Sequence, residues 1–484
     1  MRLVLTADSV FAFPFESSQE SVDTTILRVR MCDIIGSKVH AAAGTAKHAL
    51  LIYEYAPRNK GCFSSGARKR KVFEFTFAES TMCALWSETI NAVLRGTAGG
   101  GGASCGVQGN PMTSLAPVPA AEPTIASEAV ARRRFLVFVN PHSGTGHASK
   151  VYHGSVGRML GEAGVDVDLV ITQRAGHAFD HVQSDAFDRS RYAVICIVGG
   201  DGLVFEVVNG IASRPQGDGM QLLAAIPLAP IPGGTGNGLA KSILFASDEP
   251  YSAVNSAFVA IKGSPHPLDL SSVQTVTGTH FSFLSLGWGL ISDIDILSES
   301  LRCMGEMRLY LAAVYFIGKK RRYRGKLSMV LTTESISTDG GAAGTTESDK
   351  DVEANASSTG GIFNDPATVK FRKVIEGEFL LVWAVQTSHA AATMHSGPGV
   401  LLDDGMFTIY VVRHMSRFEL LQLLIEVDSG DHVKRVAVEV YKAHSYCLEP
   451  ETDTKGIYSL DGEVVEYGPI TAEVLPQAAR VLRI

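Results

Sequence analysis

The chain has 484 residues, 45% hydrophobic and 19% charged, with a formal net charge of −7. This is the composition of a globular protein with room for two to four domains, and its acidic balance argues against bulk nucleic-acid binding. The seven cysteines (Cys32, Cys62, Cys83, Cys105, Cys196, Cys303, Cys447) lack metal-ligand or redox-motif spacing, as expected of free thiols in a reducing, cytoplasmic compartment. The opening MRLVLTADSVFAFPF is too short and polar for a signal peptide. No apolar run reaches the roughly 18 residues of a spanning helix; LYLAAVYFIG comes nearest and a basic cluster follows it, so any membrane is met from its surface.

Residues 1–95 alternate in strand fashion (RLVLTADSVFAF, ILRVRMCDIIG, ALLIYEYA, RKVFEFTFA) and close with TMCALWSETINAVLR. In that closing helix Met82, Leu85, Trp86, Ile90 and Val93 are expected on one face. A small α+β module of several strands capped by a Trp-bearing helix resembles a pleckstrin-homology-type domain. Its basic run, Arg68, Lys69, Arg70 and Lys71, suits anionic lipid headgroups or a solvated hairpin tip. Residues 96–131, rich in Gly, Ala and Pro at their start, read as a flexible linker.

From 132 to 265 strands and helices alternate: RFLVFVN, ASKVYHGSVGRMLGEAG, VDVDLVIT, AGHAFDHVQSDAF, YAVICIVGG, GLVFEVVNGIA. That order predicts an α/β subdomain with a mostly parallel sheet and ligands at the strands' C-terminal ends. From 266 to 484 strands dominate (HFSFLSLGWGL, GKLSMVL, GEFLLVWAVQT, GMFTIYVV, HVKRVAVEVYKA, YSLDGEVVE), which predicts an antiparallel β-rich subdomain with the active cleft between the two. Residues 337–361 interrupt it with an acidic insertion, five carboxylates (Asp339, Glu347, Asp349, Asp351, Glu353) against Lys350, expected to be a disordered loop.

Three glycine-rich turns end strands of the α/β part: NPHSGTG (140–146), GGDG (199–202) and PGGTGNG (232–238). Successive backbone N–H groups in such turns, with helix N-termini behind them, form anion-binding concavities. There is no G-x-x-x-x-G-K-[ST] and no H-R-D or D-F-G, so neither a P-loop enzyme nor a protein kinase is indicated.

These three motifs, in this order, resemble the catalytic domain shared by diacylglycerol, ceramide and sphingosine kinases; the more distant NAD kinases share the GGDG turn. ISDIDILSESLRCMGEMRLYLA (291–312) narrows the resemblance to sphingosine kinases, and SLDGEVVE (459–466) is similar to the family's closing D-G-E. The resemblance covers roughly 134–484. It implies ATP and Mg²⁺ as cofactors and a lipid alcohol as phosphoryl acceptor.

Phosphoryl transfer asks a protein mainly to position groups and neutralise charge. By the resemblance, Asn140, Gly144, Gly146, Thr172, Gly199, Gly200, Thr235 and Asn237 approach the nucleotide. Arg302 and Arg308 meet its phosphates with planar guanidinium forks, and Asp461 and Glu463 help hold nucleotide and Mg²⁺. A primary alcohol needs a carboxylate to accept its proton as the new bond forms, and Asp201 of the G-D-G turn is that candidate; it also stands where it can cap the following helix. Asp295 matches the family's substrate aspartate and Glu299 a nearby acidic position. A carboxylate there favours the ammonium of a sphingoid base over neutral diacylglycerol or ceramide. Leu297 and Cys303 depart from the family pattern, and Asp293 is a substitute if the alignment slips. Leu286 and Trp288, with Phe283, Leu284, Leu290, Leu309, Leu311 and Phe316, are candidates for an acyl-chain tunnel or plain core. The run Lys319, Lys320, Arg321, Arg322, Arg324 and Lys326 suits an anionic membrane surface or is ordinary surface charge. His142 and the other histidines show no metal-site spacing. The expected function is therefore a sphingosine kinase. The competing expectations are a diacylglycerol or ceramide kinase, or a non-catalytic lipid-sensing protein whose kinase domain has decayed.

Overall fold

The computed structural model describes residues 2–5, 9–13, 27–41, 48–57, 66–77, 80–94, 133–144, 146–185, 187–300, 307–332, 372–451, 453 and 456–484. The linker (96–131) and the acidic insertion (337–361) lie outside them. The chain divides into two compact units.

The first unit comprises Met1–Asn59, Arg68–Arg134 and Met159–Asp166. Strands β1 (Arg2–Leu5), β2 (Ser9–Phe13) and β3 (Leu27–Arg30) form one antiparallel meander. A tight turn at Met31–Asp33 leads into a second: β4 (Ile34–Ala41), β5 (His48–Ala56) and β6 (Lys69–Phe77), followed by helix α1 (Ser80–Leu94). Val29, Ile34, Leu50, Ile52, Phe75, Cys83 and Ile90 make its core, with Trp86 and Val93 packed against it. The buried face of α1 departs from the expected one. Leu85 is 51% exposed and Cys83 is buried in its place, because Leu85 sits about 100° around the helix from Trp86. Three of the four cations in the basic run face carboxylates within this unit. Arg68 donates to Asp33 (2.8 Å), Arg70 pairs with buried Glu162, and Lys71 lies 3.5 Å from Glu54.

The second unit carries a single mixed sheet. Its α/β part holds β7 (Arg134–Val139), β8 (Asp166–Ile171), β9 (Val194–Gly199) and β10 (Leu228–Pro232). Strands β7, β9 and β10 run parallel, and all but Arg134 in these three are buried, the near-continuous apolar runs that a sheet covered on both faces requires. Between them lie α2 (Ala148–Val151), which passes through a π-turn (Tyr152–Val156) into α3 (Gly157–Glu162, counted with the first unit from Met159 on), then α4 (His177–Gln183), α5 (Asp201–Ala212), α6 (Gly219–Ala225), α7 (Gly238–Ala246) and α8 (Ala253–Lys262).

The β-rich part contains β11 (Ser264–Gln274), β12 (Thr279–Ser282), β13 (Ser285–Gly289), α9 (Leu290–Ser300), α10 (Met307–Lys319), β14 (Tyr323–Leu331), β15 (Arg372–Phe379) and β16 (Leu381–Val385). It closes with β17 (Phe407–Val412), α11 (Arg417–Glu426), β18 (Glu439–Pro450), β19 (Tyr458–Leu460), β20 (Glu463–Val465) and β21 (Ile470–Arg483). The two parts share β21, which runs antiparallel to β11 and β18 and meets β10 in parallel at Leu228 and Val481. At about 3.3 Å per residue its 14 residues are long enough to serve both. A Trp288-centred core fills the β-rich strands; a second apolar cluster joins α9, α10 and α11 to β16 and β17.

Candidate active site

The three glycine turns lie against one another. Gly144 and Gly146 hold left-handed backbone angles (φ +60° and +79°), and a Cβ on Gly144 would stand 3.2 Å from the Gly234 carbonyl carbon. Gly234 in turn abuts Gly200: its Cβ would come within 2.8 Å of the Gly200 Cα. The third turn is tied back to β9, with the Gly233 and Gly234 N–H groups donating to Gly199 O at 2.9 and 3.1 Å. Side chains brace the loops from within. Asn140 Oδ1 accepts from the His142 N–H at 2.9 Å, and Asn237 Nδ2 donates to Gly234 O at 2.7 Å. Thr172 is buried with its N–H on Val139 O at 2.9 Å, at the end of β7, while Thr235 is partly exposed at the tip of the third turn. Glycine is required where these backbones meet, because no side chain fits between them.

Asp201 opens α5, yet its carboxylate does not cap that helix. Oδ2 accepts from the Gly238 N–H (2.7 Å) and Oδ1 from the Leu239 N–H (3.3 Å), the first turn of α7. Asn237, at the N-cap of α7, spends its side chain on Gly234, so Asp201 supplies the missing cap from 37 residues away. Burial pushes the Asp201 carboxyl up to about 7; the two N–H donors pull against this, and the charges of Asp461 and Asp295 add to it. It is thus a carboxylate poised near neutrality.

The neighbouring acids have distinct settings. Asp461 is buried in the left-handed turn after β19 (φ +53°). It accepts from Ser282 Oγ (2.7 Å) and from the N–H groups of Phe283, Leu284 and Ser285 (3.0, 3.0 and 2.9 Å). That latch fastens the closing D-G-E turn to the β12–β13 junction, and burial still pushes the carboxyl up to about 6. Glu463 lies over α5: a Cβ on Gly202 would stand 2.5 Å from its Oε1.

Helix α9 carries the Asp293 and Asp295 carboxylates to different places. Asp293 is buried and accepts from Tyr323 Oη, with Arg321 Nη1 at 3.3 Å. Two residues on, about 200° around the helix, Asp295 faces β19, where Ser459 Oγ donates to its Oδ2 at 2.5 Å. The charge of Asp295 adds, after burial and Asp461, to the upward push on the Asp201 carboxyl. Helix α9 comes this close to β13 because Gly287 has no side chain: a Cβ there would meet Ile291 Cγ2 at 2.9 Å and Ser292 Oγ at 3.0 Å.

Trp288 and Leu286 lie in the filled core of the β-rich strands, where the indole N–H reaches Tyr467 Oη at 3.2 Å. Leu290, Ile291 and Ile294 of α9 belong instead to the second cluster, with Trp383, Met415, Leu420 and Leu423. Glu299 and Arg308 fall in α9 and α10, but their side chains, and Arg302 altogether, lie outside the described residues. Ser459 escaped the sequence reading. It lies two residues before Asp461 in SLDGEVVE, but Asp461 sits in the turn after β19, so no strand period links the two.

The diacylglycerol kinase catalytic domain matches residues 134–273, and the YegS C-terminal NAD kinase beta sandwich-like domain matches 369–483. Human sphingosine kinase 1 is 31% identical over 352 residues, covering 71% of this chain and 89% of the relative. Sphingosine kinase 2 of Arabidopsis thaliana is 31% identical over 350 residues, 70% of each chain. Sphingoid long chain base kinase 4 of Schizosaccharomyces pombe is 26% identical over 352 residues, 72% of this chain and 75% of the relative. Among solved structures, a putative diacylglycerol kinase from Bacillus anthracis shares the fold with a TM-score of 0.51 at 21% identity, covering 73% of this chain and 97% of that one. With the interlocked glycine turns and this extent of similarity together, the chain belongs to the sphingosine kinase family.

Proposed function

We propose that this chain is an ATP-dependent lipid kinase that phosphorylates the primary hydroxyl of a sphingoid base, converting sphingosine to sphingosine 1-phosphate. The observation that carries the choice of acceptor is that Ser459 holds Asp295 on the strand leading into the D-G-E turn, whose Glu463 lies against Gly202, the residue after Asp201. An acceptor hydroxyl at Asp201 brings a neighbouring ammonium under the Asp295 carboxylate, whereas diacylglycerol has no cation to offer and ceramide holds an amide there. The acceptor oxygen attacks the γ-phosphorus, the bond to the β-phosphate oxygen breaks to give ADP, and Asp201 takes the hydroxyl proton. A base with a value near the working pH suits that transfer.

The interlocked turns fit a nucleotide, since backbone N–H groups approach phosphates closely only where side chains are absent. Asn140, Gly144, Gly146, Thr172, Gly199, Gly200, Thr235 and Asn237 are assigned to it, with Arg302 and Arg308 on its phosphates. Among the described residues no three His, Cys, Asp or Glu side chains are arranged to hold a metal, so Mg²⁺ is assigned to the nucleotide's phosphates. Glu463 is the fitting carboxylate of the closing turn, because the Asp461 oxygens already accept four protein donors. Bound Mg²⁺ supplies charge neutralisation. The acyl chain is assigned to the α9–α10–α11 cluster rather than to the filled core around Leu286 and Trp288, since α9 bears Asp295 and that cluster's side chains together.

Among the described residues no helix is long and apolar enough to cross a membrane. Peripheral attachment to a membrane surface is supported by α10, where Tyr310, Leu311, Val314 and Tyr315 are exposed along one face. The basic run beyond it contributes less than its charge suggests: Arg321, Arg322, Arg324 and Lys326 all face carboxylates. The two meanders and closing helix of the first unit support a pleckstrin-homology-like targeting module over 1–95, joined by a linker (96–131) to a nucleotide-binding part (132–265) and a lipid-binding part (266–484). The test is ADP release from MgATP with sphingosine, ceramide or diacylglycerol in mixed micelles, repeated with Asp295→Asn. Sphingosine-dependent turnover that loses selectivity in the variant supports the proposal; turnover on diacylglycerol alone overturns the acceptor, and nucleotide binding without turnover overturns the enzyme.

A further inference from the structure

We infer that Ser459 is a positioning residue for substrate discrimination: its hydroxyl holds the Asp295 carboxylate in the orientation that receives the acceptor's ammonium. The inference rests on the sphingoid-base reading and adds to it a residue that contacts Asp295 rather than the lipid.

Three features support it. The donor is rigidly mounted. Ser459 is the middle residue of β19, which pairs on one side with β13 and on the other with β20, and Asp461, two residues on, is latched to the β12–β13 junction. Ser459 is buried, and its Oγ donates to Asp295 Oδ2 at 2.5 Å. A polar group locked by its supporting strand can set a partner's rotamer as a solvent-facing one cannot.

The chemistry also suits the task. The charges of Asp295 and Asp461 both disfavour the charged form of Asp201, and Asp295 is held by Ser459, two residues before Asp461. A hydroxyl that gives its proton to a carboxylate favours the ionised form and, unlike Lys or Arg, does so without cancelling the charge that would attract an ammonium. Nor can the neighbouring acid substitute, because Asp293 faces away toward Tyr323 and Arg321. The approach is built in as well, since Gly287, opposite Ser459 in the ladder, is the position whose missing side chain lets α9 settle onto β13.

The test compares Ser459→Ala, Ser459→Thr, Asp295→Asn and the double variant Ser459→Ala/Asp295→Asn, measuring kcat and KM for sphingosine and for MgATP together with the melting temperature. Loss of one hydrogen bond to a charged group predicts that Ser459→Ala raises KM for sphingosine about tenfold. The KM for MgATP and the melting temperature should stay unchanged, and Ser459→Thr, which keeps the hydroxyl, should restore sphingosine affinity. In the Asp295→Asn background the alanine change should have no further effect. Wild-type behaviour of Ser459→Ala, a parallel loss in both KM values and in melting temperature, or full multiplication of the two effects in the double variant each overturns the inference. If the wild-type chain turns over diacylglycerol and not sphingosine, the substrate reading itself has failed; if it turns over sphingosine while Ser459→Ala is silent, only the inference has.

Discussion

Replacing Asp201 by Asn should separate stability from activity. Its carboxyl is pushed up from 3.8 to about 7 in the folded chain, so the folded state binds that proton more tightly than the unfolded one. The contribution to stability is therefore fully present below about pH 4 and is lost as pH rises through about 7, a difference of about 4 kcal/mol. Asparagine carries no charge to bury, but it presents one acceptor oxygen where the carboxylate offers two, to Gly238 and Leu239. One N–H of the α7 N-terminus then loses its partner, at about 1–2 kcal/mol. The balance predicts a variant about 2 kcal/mol more stable than wild type at pH 8, with no such gain near pH 4. As proton acceptor, Asp201 is worth about 10²–10⁴ in rate, so kcat should fall by that factor. Wild-type kcat should decline about tenfold per pH unit below its limb near 7. Thermal melting at both pH values and ADP release from pH 5 to 8.5 measure all of this. An Asn variant within tenfold of wild-type kcat, or less stable than wild type at pH 8, would refute the reasoning.

Other expectations follow from the same geometry. Gly234→Ala drives a methyl to within 2.8 Å of the Gly200 Cα; nucleotide affinity, read by fluorescent ATP-analogue titration, should drop at least tenfold, and wild-type affinity would show that the turns need not interlock. Arg70→Met leaves buried Glu162 with the Tyr55 hydroxyl but without its guanidinium, which, with the arginine partly solvent-screened, should destabilise the first unit by about 1–2 kcal/mol; hydrogen exchange over β5 and β6 would detect it, and unchanged protection would show the pair to be dispensable. Val314, 59% exposed on α10, when changed to Glu should weaken binding to vesicles containing phosphatidylserine about tenfold, and unchanged co-sedimentation would remove α10 from the membrane face.

What could be read from the chain alone, and what could not, follows from range. Three glycine turns at strand ends announce a phosphate site because their glycines are local and a parallel sheet gathers its strand ends on one side. The partner of Asp201 was not legible: the turn it caps lies 37 residues away, and nothing local says that Asn237 is otherwise engaged. The contact of Ser459 with Asp295 spans 164 residues. Leu286 and Trp288 stood as candidates for an acyl-chain tunnel or plain core, and their apolar character could not say which of two apolar clusters they join. Nothing local in the last strand, β21, says that it serves both parts of the sheet, since pairing partners are a matter of register rather than composition. Helix α1 shows the opposite limit, where the expected stripe included Leu85 because hydrophobicity outweighed angle.

The central claim is that a carboxylate beside the catalytic one selects an amine-bearing acceptor. The most direct measurement offers equimolar sphingosine, ceramide and diacylglycerol in one micelle with γ-labelled ATP and Mg²⁺, and separates the labelled lipids. Label on sphingosine in large excess, spread across all three lipids by Asp295→Asn, is the predicted result. Label on diacylglycerol, or a distribution indifferent to Asp295, would contradict the account.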